Sequence, residues 1–94
     1  MASFIVRVEL HNARYEDYLA LHAAMAARGF SRTILGSNGE NYHLPTAEYD
    51  ITTTSTAEQV RQAADSAATT TGKAHGVLVA QYSSCLWSGL PKAS

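Results

Sequence analysis

Ninety-four residues make about one domain, enough to bury a core without metal or disulfide but with little to spare. Hydrophobic residues at 46% against 16% charged exclude a disordered chain, and seven Lys+Arg against eight Asp+Glu, a formal charge of -1, exclude a global field that would gather polyanions. The single cysteine, Cys85, excludes an intrachain disulfide and any two-cysteine zinc or redox motif. With no basic-then-apolar leader pattern and no apolar run near the ~18 residues of a membrane span, the expectation is a single soluble domain over residues 1–94 in the cytoplasm.

In chain order, Phe4, Val6, Val8 and Leu10 alternate with Ile5, Arg7, Glu9 and His11, the period of a strand with one face in a core. Asn12 is placed to cap a helix running to about Arg28, with Glu16 and Asp17 near the positive end of its dipole. Its apolar stripe is Tyr15, Tyr18, Leu21, His22 and Met25, and Gly29 with Phe30 spells a Schellman stop. Ser31 to Leu35 reads as extended, Gly36-Ser37-Asn38-Gly39 as a type I′ hairpin turn, and Asn41 to Leu44 as the return arm. After Pro45, Ala47, Tyr49 and Ile51 alternate with Glu48, Asp50 and Thr52 as a further strand.

Ser55 with Glu58, or Thr56 with Gln59, spells a capping box for a second helix ending before Gly72, with a stripe of Val60, Ala63, Ala64 and Ala67. Val77 to Tyr82 is the last core strand, and the apolar run Cys85, Leu86, Trp87 and Leu90 follows a Ser83-Ser84 break. The β-α-β-β-α-β order predicts an α+β, ferredoxin-like sandwich. The expected form is a four-stranded antiparallel sheet with both helices on one face, a bare second face, and a short C-terminal apolar strand that adds to a sheet edge or crosses to a second copy.

Histidine is the natural acid and base near neutral pH, and His11 at the end of the first strand and His43 beside the hairpin are the candidates for proton transfer. His22 reads as a hydrogen-bonded core or rim residue and His75 as a loop residue. Arginine grips phosphate through two parallel hydrogen bonds, which points to Arg7, Arg14 and Arg32 around one edge of the sheet, Arg7 and Arg32 foremost, although Glu48 is a cross-strand partner that would neutralise Arg7. Glu48 and Asp50 lie on one side of a strand roughly 7 Å apart, within reach of one cation, but the commoner meaning of such a pair is a solvated strand face. With no His-x-His or His-x3-His spacing, neither metal nor cofactor is expected.

Three stretches, Phe4-Ile5-Val6-Arg7-Val8-Glu9-Leu10, Gly29-Phe30-Ser31-Arg32-Thr33-Ile34 and Tyr42-His43-Leu44-Pro45-Thr46-Ala47-Glu48-Tyr49, resemble the GhoS-type antitoxins, small ferredoxin-like proteins related in fold to a CRISPR adaptation nuclease subunit. The resemblance spans about Ser3 to Leu90 and implies the endoribonuclease antitoxin of a type V toxin-antitoxin pair, cleaving the messenger RNA of a small membrane toxin. Where the CRISPR relatives place a metal-binding aspartate, this chain reads Leu10-His11-Asn12, so no metal ligand carries over. The expected chemistry is metal-independent, with His43 and His11 moving protons and Arg32 and Arg7 holding phosphate. The alternative is a non-catalytic binding module, homodimeric through its C-terminal segment and sheet edge, whose open face takes RNA, protein or a small molecule. Neither reading expects membrane or DNA as a partner.

Overall fold

A computed structural model describes residues 1–93. Along the chain run β1 (Ala2–Leu10), α1 (Tyr15–Ala26), β2 (Thr33–Leu35), β3 (Asn41–His43), β4 (Glu48–Thr53), α2 (Ala57–Thr69) and β5 (His75–Tyr82). β1 is central, paired antiparallel with β4 on one side and β5 on the other. Its alternation has the predicted effect: Phe4, Val6, Val8 and Leu10 are buried, while Arg7 and Glu9 face outward. Leu21 and Met25 of α1 and Val60, Ala64, Ala67 and Ala68 of α2 pack on the same buried face of β1, with Tyr18 against that cluster, so both helices cover one side of the sheet. The small side chains of α2 let it lie close on β1 and β5 while burying little area per residue.

The helix boundaries follow from local hydrogen bonds. α2 takes the Thr56 and Gln59 option, with Gln59 N–H donating to Thr56 Oγ1 and Thr56 N–H to Gln59 Oε1. At the end of α1, Gly29 takes φ +89° and Phe30 N–H returns to Met25 O at 3.1 Å, the predicted Schellman stop. The start of α1 differs: Arg14 rather than Asn12 is the N-cap residue, its N–H bound by the Asp17 carboxylate at 2.8 Å. Asn12, at φ +52°, instead belongs to the turn that brings the chain out of β1. The stripe also shifts, leaving Tyr15 exposed.

The expected four-stranded sheet divides into three strands and a separate two-stranded hairpin, β2–β3. Ser31 alone joins β4, through two 2.8 Å bonds with the backbone of Asp50. Its hydroxyl then accepts the Thr33 N–H at 3.1 Å, and that local bond bends the chain at Arg32 and carries β2 away from the sheet. The hairpin turn is not type I′, because Asn38 has no positive φ. Gly36 O accepts the Gly39 N–H, Gly36 N–H reaches Glu40 O, and Gly39 alone sits at φ +83°, a three-residue loop closed by a glycine bulge.

The apolar run after β5 forms no strand through residue 91, the Ser83-Ser84 break having ended the pairing. It folds back onto its own hairpin instead. The rings of Trp87 and Tyr42 lie 5.5 Å apart, His43 N–H donates to Pro91 O at 2.9 Å, and a single bridge pairs Tyr42 with Lys92. On the way, the strap sets Cys85 near the Asp50 and Glu48 carboxylates, which together with burial raise its pKa, burial being the larger cause. The strap thus lies over part of the second sheet face, while Arg7, Glu9 and Leu78 stay exposed on it.

Candidate functional site

His43 ends β3 with its side chain exposed, and its cross-strand partner is Thr33. One residue further, Leu44 N–H donates to Arg32 O at 2.8 Å. Arg32 and His43 thus share the root of one hairpin, both exposed. His11 lies in the turn after β1, tied to β5's approach through Ala74 O and 3.9 Å from Glu9. Arg7 is on the strapped face of β1 and pairs with Glu48 at 3.0 Å, the neutralising partner foreseen in the sequence. Among the described residues no hydrogen bond or ion pair links any two of these four side chains.

The acidic pair is likewise engaged. Asp50 accepts a 2.5 Å bond from the Tyr82 hydroxyl across β1, and burial followed by that bond pushes the Tyr82 pKa up to about 12. Among the described residues no group of three His, Cys, Asp or Glu side chains is arranged to hold a metal.

A different constellation forms between α1 and β4. His22 Nδ1 and the Tyr49 hydroxyl are joined at 2.7 Å, with ring centroids 5.7 Å apart, and Tyr18 packs on His22 with centroids at 6.4 Å. Tyr49 is completely buried on the core side of β4. Desolvation pushes its pKa up to about 12, opposed in part by Arg32. The same two influences, burial first and the Arg32 charge second, lower the pKa of His22. A neutral imidazole oriented by a phenol can accept a proton or donate a hydrogen bond to an anion. The i, i+4 neighbours Tyr18 and His22 were visible in the sequence as a stripe, but Tyr49 is 27 residues from His22, and only the pairing of β4 with β1 brings it there.

A cleft of about 600 Å³ opens between the hairpin and the strap, with Ile34, Leu35, Tyr42, Tyr82 and Trp87 in its walls. Its mouth carries exposed Leu35 and Leu86. No helix among the described residues is long and apolar enough to cross a membrane. In comparisons with known proteins, no protein-family model matches the chain and no curated protein matches it.

Proposed function

We propose that this chain is a ferredoxin-like, GhoS-type antitoxin: a cytoplasmic endoribonuclease that cuts the single-stranded messenger RNA of a small membrane toxin without a metal. The observation that carries this reading is the hairpin root, where the two segments most specific to the resemblance, Gly29 to Arg32 and Tyr42 to Pro45, meet through the Leu44 to Arg32 bond and leave Arg32 and His43 both open to solvent. In the reaction, a base such as His43 removes the ribose 2′-OH proton and the 2′ oxygen bonds to phosphorus. The bond from phosphorus to the 5′ oxygen breaks as a water molecule protonates the leaving oxygen, because His11, the acid expected from the sequence, lies on the β5 side of β1 and not at the hairpin root. Arg32 holds the phosphate charge. Arg7 contributes only where substrate displaces Glu48 from it.

Labelled single-stranded RNA incubated with the purified chain in EDTA tests this. Cleavage by the wild type is expected, slowed roughly 100-fold or more in His43→Ala and in Arg32→Ala. Intact RNA with the wild type, or variants cutting at the wild-type rate, overturns it.

A second reading, a non-catalytic homodimeric binding module, is favoured by a specific surface. Leu78 on β5 is 66% exposed at a sheet edge, and its cross-strand neighbour Arg7 is already neutralised by Glu48. Such a surface suits a second copy of the chain better than a polyanion.

A further inference from the structure

The cleft between the hairpin and the strap has walls of separate origin and one character. Tyr42 comes from β3, Trp87 from the strap and Tyr82 from the end of β5, and among the described residues none that lines the cleft carries a formal charge. Trp87 and Tyr42 meet at 58° with centroids 5.5 Å apart, a tilted contact that uses at most one face of each ring. Tyr42 is placed by the hairpin tip: Asn38 Nδ2 donates to its hydroxyl at 2.9 Å, and Gly36 has no side chain where a Cβ would stand 3.0 Å from the ring's Cε1. The Tyr42 oxygen accepts that bond and keeps its own proton to donate. On the strap side, Ser83 and Ser84 add two exposed hydroxyls to the rim.

We propose that this cleft seats one nucleobase of single-stranded RNA, stacked on Trp87 and read along its polar edge by the Tyr42 hydroxyl. A volume of about 600 Å³ falls within the roughly 300–1,000 Å³ of small-ligand sites. An anion finds no counter-charge in these walls, and a purely apolar chain would desolvate the Tyr42, Asn38 and serine groups without replacing their hydrogen bonds. A nucleobase meets both conditions. It is flat and uncharged, it has a π-face for an aromatic platform, and its rim carries acceptors for a hydroxyl donor. Its sugar and phosphate stay outside, on the hairpin whose root bears Arg32 and, directly after Tyr42, His43. That RNA rather than a free nucleoside supplies the base rests on the ribonuclease reading.

Trp87 is the single tryptophan, so its fluorescence reports on this cleft alone. The full chain is titrated with a 2′-O-methyl oligonucleotide that cannot be cleaved, with the same backbone lacking bases, and with free adenosine and uridine. The base-bearing oligonucleotide is expected to quench Trp87 saturably, the abasic backbone to leave it unchanged, and the free nucleosides to quench it only at higher concentration. Measured through a label on the oligonucleotide, Trp87→Ala is expected to weaken binding about tenfold, the effect of one stacked base. Because that variant also removes the strap's contact with Tyr42, Tyr42→Phe supplies a second measurement: it keeps both rings, loses only the hydroxyl and is expected to weaken binding about fivefold. Unmoved Trp87 fluorescence, equal quenching by the abasic backbone, quenching by the nucleosides but not by the oligonucleotide, or wild-type affinity in both variants overturns the base site. Quenching with uncut RNA supports the base site and removes the ribonuclease. Cleaved RNA with a silent Trp87 removes the base site and leaves the ribonuclease standing.

Discussion

His22 is held by neighbours that disfavour its positive charge, and this couples one ring to the stability of the fold. Its ordinary pKa of 6.5 is lowered in the folded chain by burial and then by Arg32. Between the folded value and 6.5 the unfolded chain binds more protons, so stability rises with pH across that window. The contribution is complete above 6.5, declines as the pH falls below it, and is gone once the pH has passed the folded pKa. Urea midpoints measured from pH 7.5 downward should therefore drop more steeply for the wild type than for His22→Gln, which keeps a hydrogen-bonding group for Tyr49 but cannot titrate. Parallel curves would show that the ring is not protonated at any cost to folding. The sequence supplied part of this site, since His22 at four residues from Tyr18 marked a rim position. What it withheld was the ring's anchor, because Tyr49 looked like an ordinary core residue of an alternating strand.

The hairpin and the strap are mutually dependent elements. β2 and β3 are three residues each, too short a ribbon to persist alone, and among the described residues Ser31 makes the one backbone bridge from their base to the main sheet. The strap supplies the missing contacts: Pro91 O takes the His43 N–H, Asn41 O takes the Ala93 N–H at 2.9 Å, Lys92 pairs with Glu40 at 2.9 Å, and Trp87 rests on Tyr42. In the sequence the apolar spacing of Cys85, Leu86, Trp87 and Leu90 showed that the tail needed burial. It could not show where, because the strap's backbone partner is the outer edge of β3, a three-residue strand far from the tail in sequence. Removing residues 83 to 94 should therefore speed hydrogen exchange at the His43 amide by about tenfold or more, equal to roughly 1.4 kcal/mol of lost local protection. The amides of Phe4 and Val6, inside the three-stranded sheet, should keep their rates. Unchanged exchange at His43 would mean that the hairpin is held by something other than the strap.

At the scale of the molecule, element order and the placing of both helices on one face were legible because they depend on alternation and capping, which local residues encode. The division into two sheets was not, since it follows from one serine hydroxyl competing with a strand ladder. That division decides which edges are available. The β4 edge is engaged by Ser31 and the outer edge of β3 by the strap, while β5 forms the other edge of the three-stranded sheet. β5 runs His75–Tyr82 without a proline, lysine or arginine, the devices that ordinarily keep a strand edge from pairing. Antiparallel pairing of two copies along β5 would give one continuous sheet through a self-complementary contact, with Leu78 near its centre. Light scattering over a concentration series up to roughly 1 mM, the range in which a ~4 kcal/mol association becomes visible, should show the mass rising from 10.1 kDa toward twice that value. Leu78→Lys should hold the chain at the monomer mass, because a charge on a flat edge opposes its own symmetry mate. A wild type that stays monomeric throughout the series would remove the second copy from this edge.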